Sequence, residues 1–447
     1  MAFSQPSPIR LGVVGALRGR TFMNQASNAG MQLTAVCDIH PGRLEAVHQE
    51  YGVATYTDYE QFLNHGLDAV ALANYMHDHA PLAVQALRRG IHVMSECMGA
   101  RTLAQCVELV EAVEESNCIY MLAENYPYML SCQELRRLYA CGEIGLVRYA
   151  EGEYNHPGRE EWKLSISPGL NHWRNWLPPT YYVTHGLSPL MVITDTMPVR
   201  VHALSIVEEP TQSPHTVKVG DIGSVILCRM DNGAVFRIWG LSMSSIERIR
   251  YEVHGERGLI STADPDPWSR VRVHHEPWLV QPGQVREKVY LPDWPAHPEL
   301  AEKAGHGGGD FWTSYDFASA IREGKQPYLD VYRSTAMSAV SILAWRSCLE
   351  EGRPYDIPDF RDPAARNTVR QDHWSPFPED AGPGQPPPSV RGYVTPSPEA
   401  IIRAEAVWRK ESCLSTQCPP EKRATFLVST ADIPTIWVLP CCARVAT

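Results

Sequence analysis

The sequence predicts a two-domain α/β protein: a doubly wound parallel sheet of the Rossmann type, then a mostly antiparallel open sheet with packed helices. Three observations carry that expectation. Short apolar runs alternate with amphipathic stretches over the first 125 residues, the rhythm of strands joined by helices. Strand-like runs then follow one another with no helix between most of them. Finally, 447 residues exceed what one hydrophobic core ordinarily serves.

In the first region the strand candidates are residues 9–15, 33–38, 69–74, 92–96 and 119–123, with helical stretches at 41–51, 80–89 and 103–116. A sheet built this way binds ligands at the carboxyl ends of its strands. In the second region the strand candidates are 147–154, 201–207, 225–230, 235–241 and 251–261. Asp231-Asn232-Gly233 parts two of them and signals a hairpin. Helical stretches at 310–322 and 331–349 close this region. From about residue 361 the composition shifts: GPGQPPPS (382–389) reads as a linker, 397–410 as one helix, and the end, with Cys441 and Cys442, as an irregular tail. The expected division is 1–125, 126–360 and 361–447.

Composition narrows the partners. Hydrophobic residues at 44% and charged residues at 20% match a soluble globular protein. A formal charge of −11 speaks against nucleic acid, whose phosphates need a cationic surface. No stretch is long and apolar enough to span a bilayer, and the opening MAFSQPSPIR lacks the apolar core of a leader. The twelve cysteines show no metal-ligand spacing and read mainly as reduced, small, buried residues. A cytoplasmic protein with a sugar-sized ligand and no bound metal is expected, assembling as a homo-oligomer through the open sheet.

Asp38 ends the second strand candidate, about 20 residues beyond Gly15. An acid there accepts hydrogen bonds from the ribose hydroxyls of NAD and repels a 2′-phosphate. The loop between reads Gly15-Ala16-Leu17-Arg18-Gly19-Arg20, whereas GxGxxG wants glycine at 17 and 20. The turn glycine is present; the glycine that lets backbone approach a pyrophosphate is replaced by Leu17. A plain strand–helix turn is the bland alternative, and Asp38 tips the balance toward NAD.

The segments AVCDIHPGRLEA (35–46), TYTDYEQFL (55–63), ALANYMHDHAPLAVQALRRGIHVMSE (71–96) and LVEAVEESN (109–117) resemble the Gfo/Idh/MocA oxidoreductase family, over roughly residues 8–360. Two departures matter. The family's Glu-Lys-Pro is here Glu96-Cys97-Met98, without the lysine, and its His with Asp three residues on is here His185 with Ser188. MLAENYPY (121–128), EGEYNHP (151–157), YYVTHGLSPL (181–190), GHGGGDF (305–311) and LDVYRSTAMSAVS (329–341) resemble the NAD-dependent glycosidases of glycoside hydrolase family 109, typified by α-N-acetylgalactosaminidases. That resemblance implies a catalytic set of Glu124, Tyr154, Tyr182 and His185, with His156 and His306 on the substrate; Trp173 is expected there as part of a tryptophan-rich lid. The cofactor is expected to meet Gly15, Leu17, Arg18, Asp38, Arg43, Asn74, His77, His79, Glu96 and Asn125. The implied reaction oxidises the sugar at C3 transiently, eliminates the aglycone across C1–C2, adds water and re-reduces, with no net redox change. Such chemistry needs tunable proton donors and acceptors on one ring face, not the paired carboxylates of ordinary glycosidases.

Each residue also has a plainer reading. Glu124 alone is a strand-end acid, although the carboxyl edge of the sheet is where ligands bind. Tyr154 and Tyr182 are compatible with core tyrosines, and His185 with a packed helix-start histidine. His77 and His79 look like a metal pair but no second cluster supports them. Trp162, His172, Trp173 and Trp176 form either a structural loop or a lid whose rings stack on sugar. Cys97 reads as a filler where the lysine stood. Two rivals to the glycosidase stand beside it: an NAD-dependent sugar or inositol dehydrogenase, and a non-catalytic sugar- or NAD-sensing protein.

Overall fold

The structure, a computed structural model, describes residues 7–414 apart from 158–160, 209–213, 245 and 284. Strands β1 (Ile9–Val14), β2 (Met31–Cys37), β3 (Ala54–Tyr56), β4 (Ala69–Leu72), β5 (His92–Glu96) and β6 (Tyr120–Ala123) form a parallel sheet ordered 3-2-1-4-5-6. Helices α1 (Arg20–Gln25), α2 (Pro41–Tyr51), α3 (Tyr59–Leu63), α4 (His79–Leu87) and α5 (Leu103–Ser116) connect them. Its central strands are apolar nearly throughout because both faces are covered; every residue of β4 is buried. Thr102 caps α5 by accepting from the Gln105 N–H, and Asn117 ends it in the left-handed region at φ 57°. The five expected strands and three expected helices are present within a few residues of their bounds. β3 was missed because three residues carry no readable period.

The second sheet contains β7 (Val147–Pro157), β8 (Pro198–Ile206), β9 (Gly223–Met230), β10 (Val235–Ser244), β11 (Arg248–Gly255), β12 (Gly258–Thr262), β13 (Val271–His275), β14 (Glu287–Tyr290) and β15 (Tyr355–Asp356). Their order is 14-13-12-11-7-10-9-8-15, antiparallel except between β7 and β10. The expected hairpin at Asp231-Asn232-Gly233 joins β9 to β10, with Gly233 at φ 85°. The expected strand 251–261 is two strands: Glu256 and Arg257, between two glycines, turn the chain, and apolar residues on both sides hid the turn. β13 and β14 were not foreseen.

Helices α6 (Leu130–Ala140), α7 (Glu161–Ser165), α8 (Trp173–Trp176), α9 (Thr184–Thr194), α10 (Pro298–Ala301), α11 (Gly309–Glu323) and α12 (Val331–Leu349) complete this part, followed by α13 (Pro363–Val369) and α14 (Pro398–Leu414). Serines on α12 pin both sheets. Ser334 Oγ lies 3.2 Å from the Tyr120 hydroxyl, Ser338 Oγ accepts from the Ala100 N–H at 3.2 Å, and Ser347 Oγ accepts from the Ala203 N–H at 2.9 Å. α9 is buried at every position. It lies against β7 at Gly152, where a Cβ would stand 2.0 Å from the Gly186 carbonyl oxygen, so only glycine permits the approach.

Residues 361–414 depart from the expected linker and tail, because composition does not report tertiary partners. Arg366 and Arg370 donate to Glu114 and Glu111 at 2.6 Å, and Trp345 Nε1 donates to the Pro387 carbonyl at 3.1 Å. Ser389 Oγ donates to Asp221 at 2.6 Å. Ala400, Ala404 and Val407 of α14 cluster with Leu164 of α7 and with Val217, and Trp408 Nε1 donates to the Leu164 carbonyl at 2.8 Å. The Cys441–Cys442 pair lies outside the described residues. Trp408→Ala is expected to cost about 2 kcal/mol, below the ~3–5 of a fully buried tryptophan, and to speed proteolysis within residues 161–178. Unchanged thermal unfolding and cleavage rates would show that α14 does not brace α7.

Candidate active site

A cavity of about 890 Å³ lies between the carboxyl edge of the parallel sheet and the second sheet. Its first half is set by the reversal of strand order between β1 and β4. Gly15, at φ 100°, turns the chain there; a Cβ would come within 2.5 Å of the Ala73 carbonyl oxygen. The close-packing glycine of the loop is Gly19, whose N–H donates to the Gly15 carbonyl at 3.1 Å. Asp38 accepts from the Ala16 N–H at 2.7 Å and the His40 N–H at 2.8 Å, one on each oxygen. Each oxygen keeps a lone pair for a ribose hydroxyl. Gly15, Leu17, Arg18, Asp38, Arg43, Asn74, His79, Glu96 and Asn125 all line the cavity, as do His172 and Trp173. Asn74 Oδ1, His172 Nε2 and Trp173 Nε1 are buried without a hydrogen-bond partner. An aspartate-fixed ribose end and unpaired polar atoms along the walls fit a dinucleotide.

Arg18 pairs with Glu96 and donates to Thr21 Oγ1 at 2.7 Å. Beside them Cys97, at φ 53°, stands where the family lysine is missing, and burial pushes its thiol well up. It is no thiolate nucleophile. His79 opens α4, and burial pushes its ring down to about 4. His77 departs from the expected cofactor set. It is absent from the cavity wall, stacks on Phe377 at 5.5 Å and lies 3.4 Å from Glu379. The C-terminal segment that covers it was expected to be a linker, which is why its fate was not foreseen.

The second half gathers aromatic and acid–base groups around His185. Its Nδ1 donates to Glu124 Oε1 at 2.7 Å, Glu124 being 1% exposed. The Tyr251 hydroxyl fixes the His185 carbonyl at 2.6 Å. Tyr126 stacks on the imidazole at 4.5 Å, while Tyr154 and Tyr182 meet its edge at 4.7 and 5.1 Å. Tyr154 and His156 alternate along β7 and so share one face. Burial pushes the Tyr182 hydroxyl up to about 12 and also raises Tyr154, while burial holds the His156 ring down, to about 4. His306, at φ 52°, lies 2.9 Å from both oxygens of Asp310, which also accepts from Asn125 Nδ2 at 2.9 Å. The structure thus brings Glu124, Tyr154, Tyr182 and His185 together, with His156 and His306 at the edge.

Trp162, His172 and Trp173 of the tryptophan-rich segment line the cavity. Trp176 does not; its Nε1 donates to the Leu170 carbonyl at 3.2 Å. Sequence reasoning passed over Tyr126, although it lies two residues beyond Glu124 at the same strand end. Arg174 and Lys218 were passed over as well, and no local pattern marks them. Among the described residues no cluster suited to a metal ion occurs, and no helix is long and apolar enough to cross a membrane.

Two family models match the chain. The oxidoreductase family with NAD-binding Rossmann fold, Gfo/Idh/MocA, matches residues 9–124, and the glycosyl hydrolase 109 C-terminal domain matches residues 204–365. A glycosyl hydrolase family 109 protein of Solibacter usitatus is 26% identical over 405 residues, covering 80% of this chain and 90% of its own length. An α-N-acetylgalactosaminidase of Tannerella forsythia is 23% identical over 408 residues, covering 79% and 86%. Among solved structures, a levoglucosan dehydrogenase in complex with NADH and L-sorbose shares the fold with a TM-score of 0.69 at 18% identity, over 79% of this chain and 100% of its own. A myo-inositol 2-dehydrogenase from Lactobacillus plantarum gives 0.61 at 19% identity, over 78% and 99%.

Proposed function

We propose that the chain is an NAD-dependent glycosidase working without net redox change, of the Gfo/Idh/MocA oxidoreductases and of the branch with a glycosyl hydrolase 109 C-terminal domain. The observation that carries the proposal is the buried His185–Glu124 pair, ringed by Tyr154 and Tyr182. Bound NAD supplies a reversible two-electron acceptor for a ring hydroxyl, held by Gly15, Arg18, Asp38, Asn74 and their neighbours. Nδ1 of His185 is committed to Glu124, which leaves Nε2 to take a proton from the sugar. Glu124 acts through His185 and does not itself reach the leaving group. Tyr182 and Tyr154, kept neutral by burial, donate protons: the first beside the C3 and C2 positions, the second toward the departing oxygen. His156, Trp173 and His306 hold the sugar. The eight cysteines from Cys37 to Cys348 are free thiols, which supports a reducing compartment such as the cytoplasm. The open face of the second sheet is the surface we assign to a homo-oligomer.

The fold shared with sugar and inositol dehydrogenases supports a second reading, in which His185 is the base of a net oxidation. A nitrophenyl glycoside panel separates them. Purified protein with no added NAD is expected to release nitrophenol; NADH accumulating on added NAD, with no nitrophenol, supports the dehydrogenase. NAD rather than NADP is expected to copurify, because Asp38 repels a 2′-phosphate. Cofactor extraction and mass spectrometry decide this, and a predominance of NADP would remove the role given to Asp38.

A further inference from the structure

The cavity wall on the side of the second sheet carries two cations to which the glycosidase chemistry gives no proton to move. Segments 173–177 and 216–220 are locked together. The Val219 and Gly220 N–H groups donate to the Asn175 carbonyl at 2.8 and 3.2 Å, and a Cβ on Gly220 would stand 2.6 Å from the Leu177 carbonyl oxygen. This pairing sets Arg174 and Lys218, each one residue from a clasped position, on the same wall.

Neither cation has an ion-pair partner among the described residues. The Arg174 guanidinium lies over its neighbour Trp173 at 4.4 Å and its charge reaches the Tyr182 hydroxyl, while Lys218 Nζ donates to the Leu177 carbonyl at 2.8 Å. Two of the three ammonium hydrogens remain for another acceptor. The acid whose charge reaches Lys218 is Asp221, but its oxygens already accept from Ser205 Oγ, Ser389 Oγ and the Val390 N–H. The nearby cavity-lining acid, Glu247, lies 3.7 Å from His156 Nδ1. Burial pushes the Lys218 amine down to about 8, as expected of a cation without a counter-ion. Lys218 is not needed as a clasp, since two backbone hydrogen bonds already hold the same loop. In a chain with a net charge of −11, two cations without ion pairs thus face the cavity side by side with the sugar-binding half. Cations held this way are stabilised by an anion that enters with the ligand.

We propose that Arg174 and Lys218 form an anion subsite that takes a carboxylate, sulfate or phosphate group carried by the sugar. The assignment to a sugar rests on the glycosidase reading. The other source of the same chemistry is the pyrophosphate of the dinucleotide, and the test separates the two.

Calorimetry on the protein as purified, with its cofactor, compares D-glucuronate with D-glucose, D-galacturonate with D-galactose, and D-glucose 6-phosphate with D-glucose. At least one anionic sugar is expected to bind about tenfold more tightly than its neutral counterpart. Lys218→Gln keeps a donor for Leu177 and removes the charge; the ratio is expected to fall to about one while NAD content and thermal unfolding stay put. Arg174→Gln provides a second variant with the same expected loss of preference. Equal affinity for anionic and neutral sugars in the unaltered protein overturns the proposal, as does absence of binding by every anionic sugar. Loss of NAD from a folded Lys218→Gln protein also overturns it, by assigning the cations to the pyrophosphate. Preferential binding of a uronate without hydrolysis of any glycoside keeps the subsite and removes the glycosidase; hydrolysis with no preference for charge does the reverse.

Discussion

His185→Ala is expected to lower turnover by about 10²–10⁴-fold, the usual contribution of a positioned acid–base group. The imidazole is held on three sides by Tyr126, Tyr154 and Tyr182 and from behind by Glu124, so its free nitrogen has one direction left. The variant also leaves Glu124 buried with Oε1 accepting only from the Tyr126 N–H at 3.5 Å, beside an Oε2 that already lacks a partner. Some stability is therefore lost, on the order of 1–3 kcal/mol, and rates belong well below the variant's Tm. Glu124→Gln gives the control. Its amide oxygen still accepts from Nδ1, so the fold is kept and the loss is expected to be smaller. Turnover within a few-fold of the unaltered protein in His185→Ala would return His185 to the role of a packed core histidine.

Gly152→Ala is expected to be the most damaging single methyl group in the second sheet. Its Cβ would meet the Gly186 carbonyl at 2.0 Å, and that carbonyl belongs to the helix that presents His185. Gly186 sits as closely on the neighbouring strand, its own Cβ position being 2.5 Å from Ile238 Cγ2. α9 must therefore lift from β7, at a cost on the order of 4 kcal/mol or more. At ~2–4 °C per kcal/mol for a domain of this size, Tm is expected to drop by about 10 °C, with turnover lost alongside it. A Gly152→Ala protein of normal Tm would mean that α9 does not rest on the sheet as described.

The elements that could be read from the sequence are those whose signal is local. α2, α5 and α12 start and stop at the expected residues because long amphipathic or apolar runs end at clear signals, such as Gly52 at φ 68° or Asn117 at φ 57°. The split of 251–261 into β11 and β12, and the three-residue β3, fell below what a period of two resolves. The packing of 361–414 was illegible for another reason: Glu111, Glu114 and Leu164, which hold it, lie far away in sequence. The site shows the same division. Asp38 was proposed from strand position, and Glu124, Tyr154, Tyr182 and His185 from resemblance; the last four lie together around one imidazole. Arg174 and Lys218 share one wall because Val219 and Gly220 donate to the distant Asn175 carbonyl, and His77 left the expected cofactor set because Phe377 covers it.

The most direct test of the glycosidase is the fate of hydrogen at C2 of the product. Elimination across C1–C2 removes that hydrogen as a proton, and water returns one from solvent. Hydrolysis of a cleaved nitrophenyl glycoside in D₂O, followed by NMR of the sugar, is therefore expected to show deuterium at C2, with no NADH accumulating at 340 nm. Nitrophenol release with the original hydrogen retained at C2 would contradict elimination, and steady NADH formation without nitrophenol would make the protein a dehydrogenase.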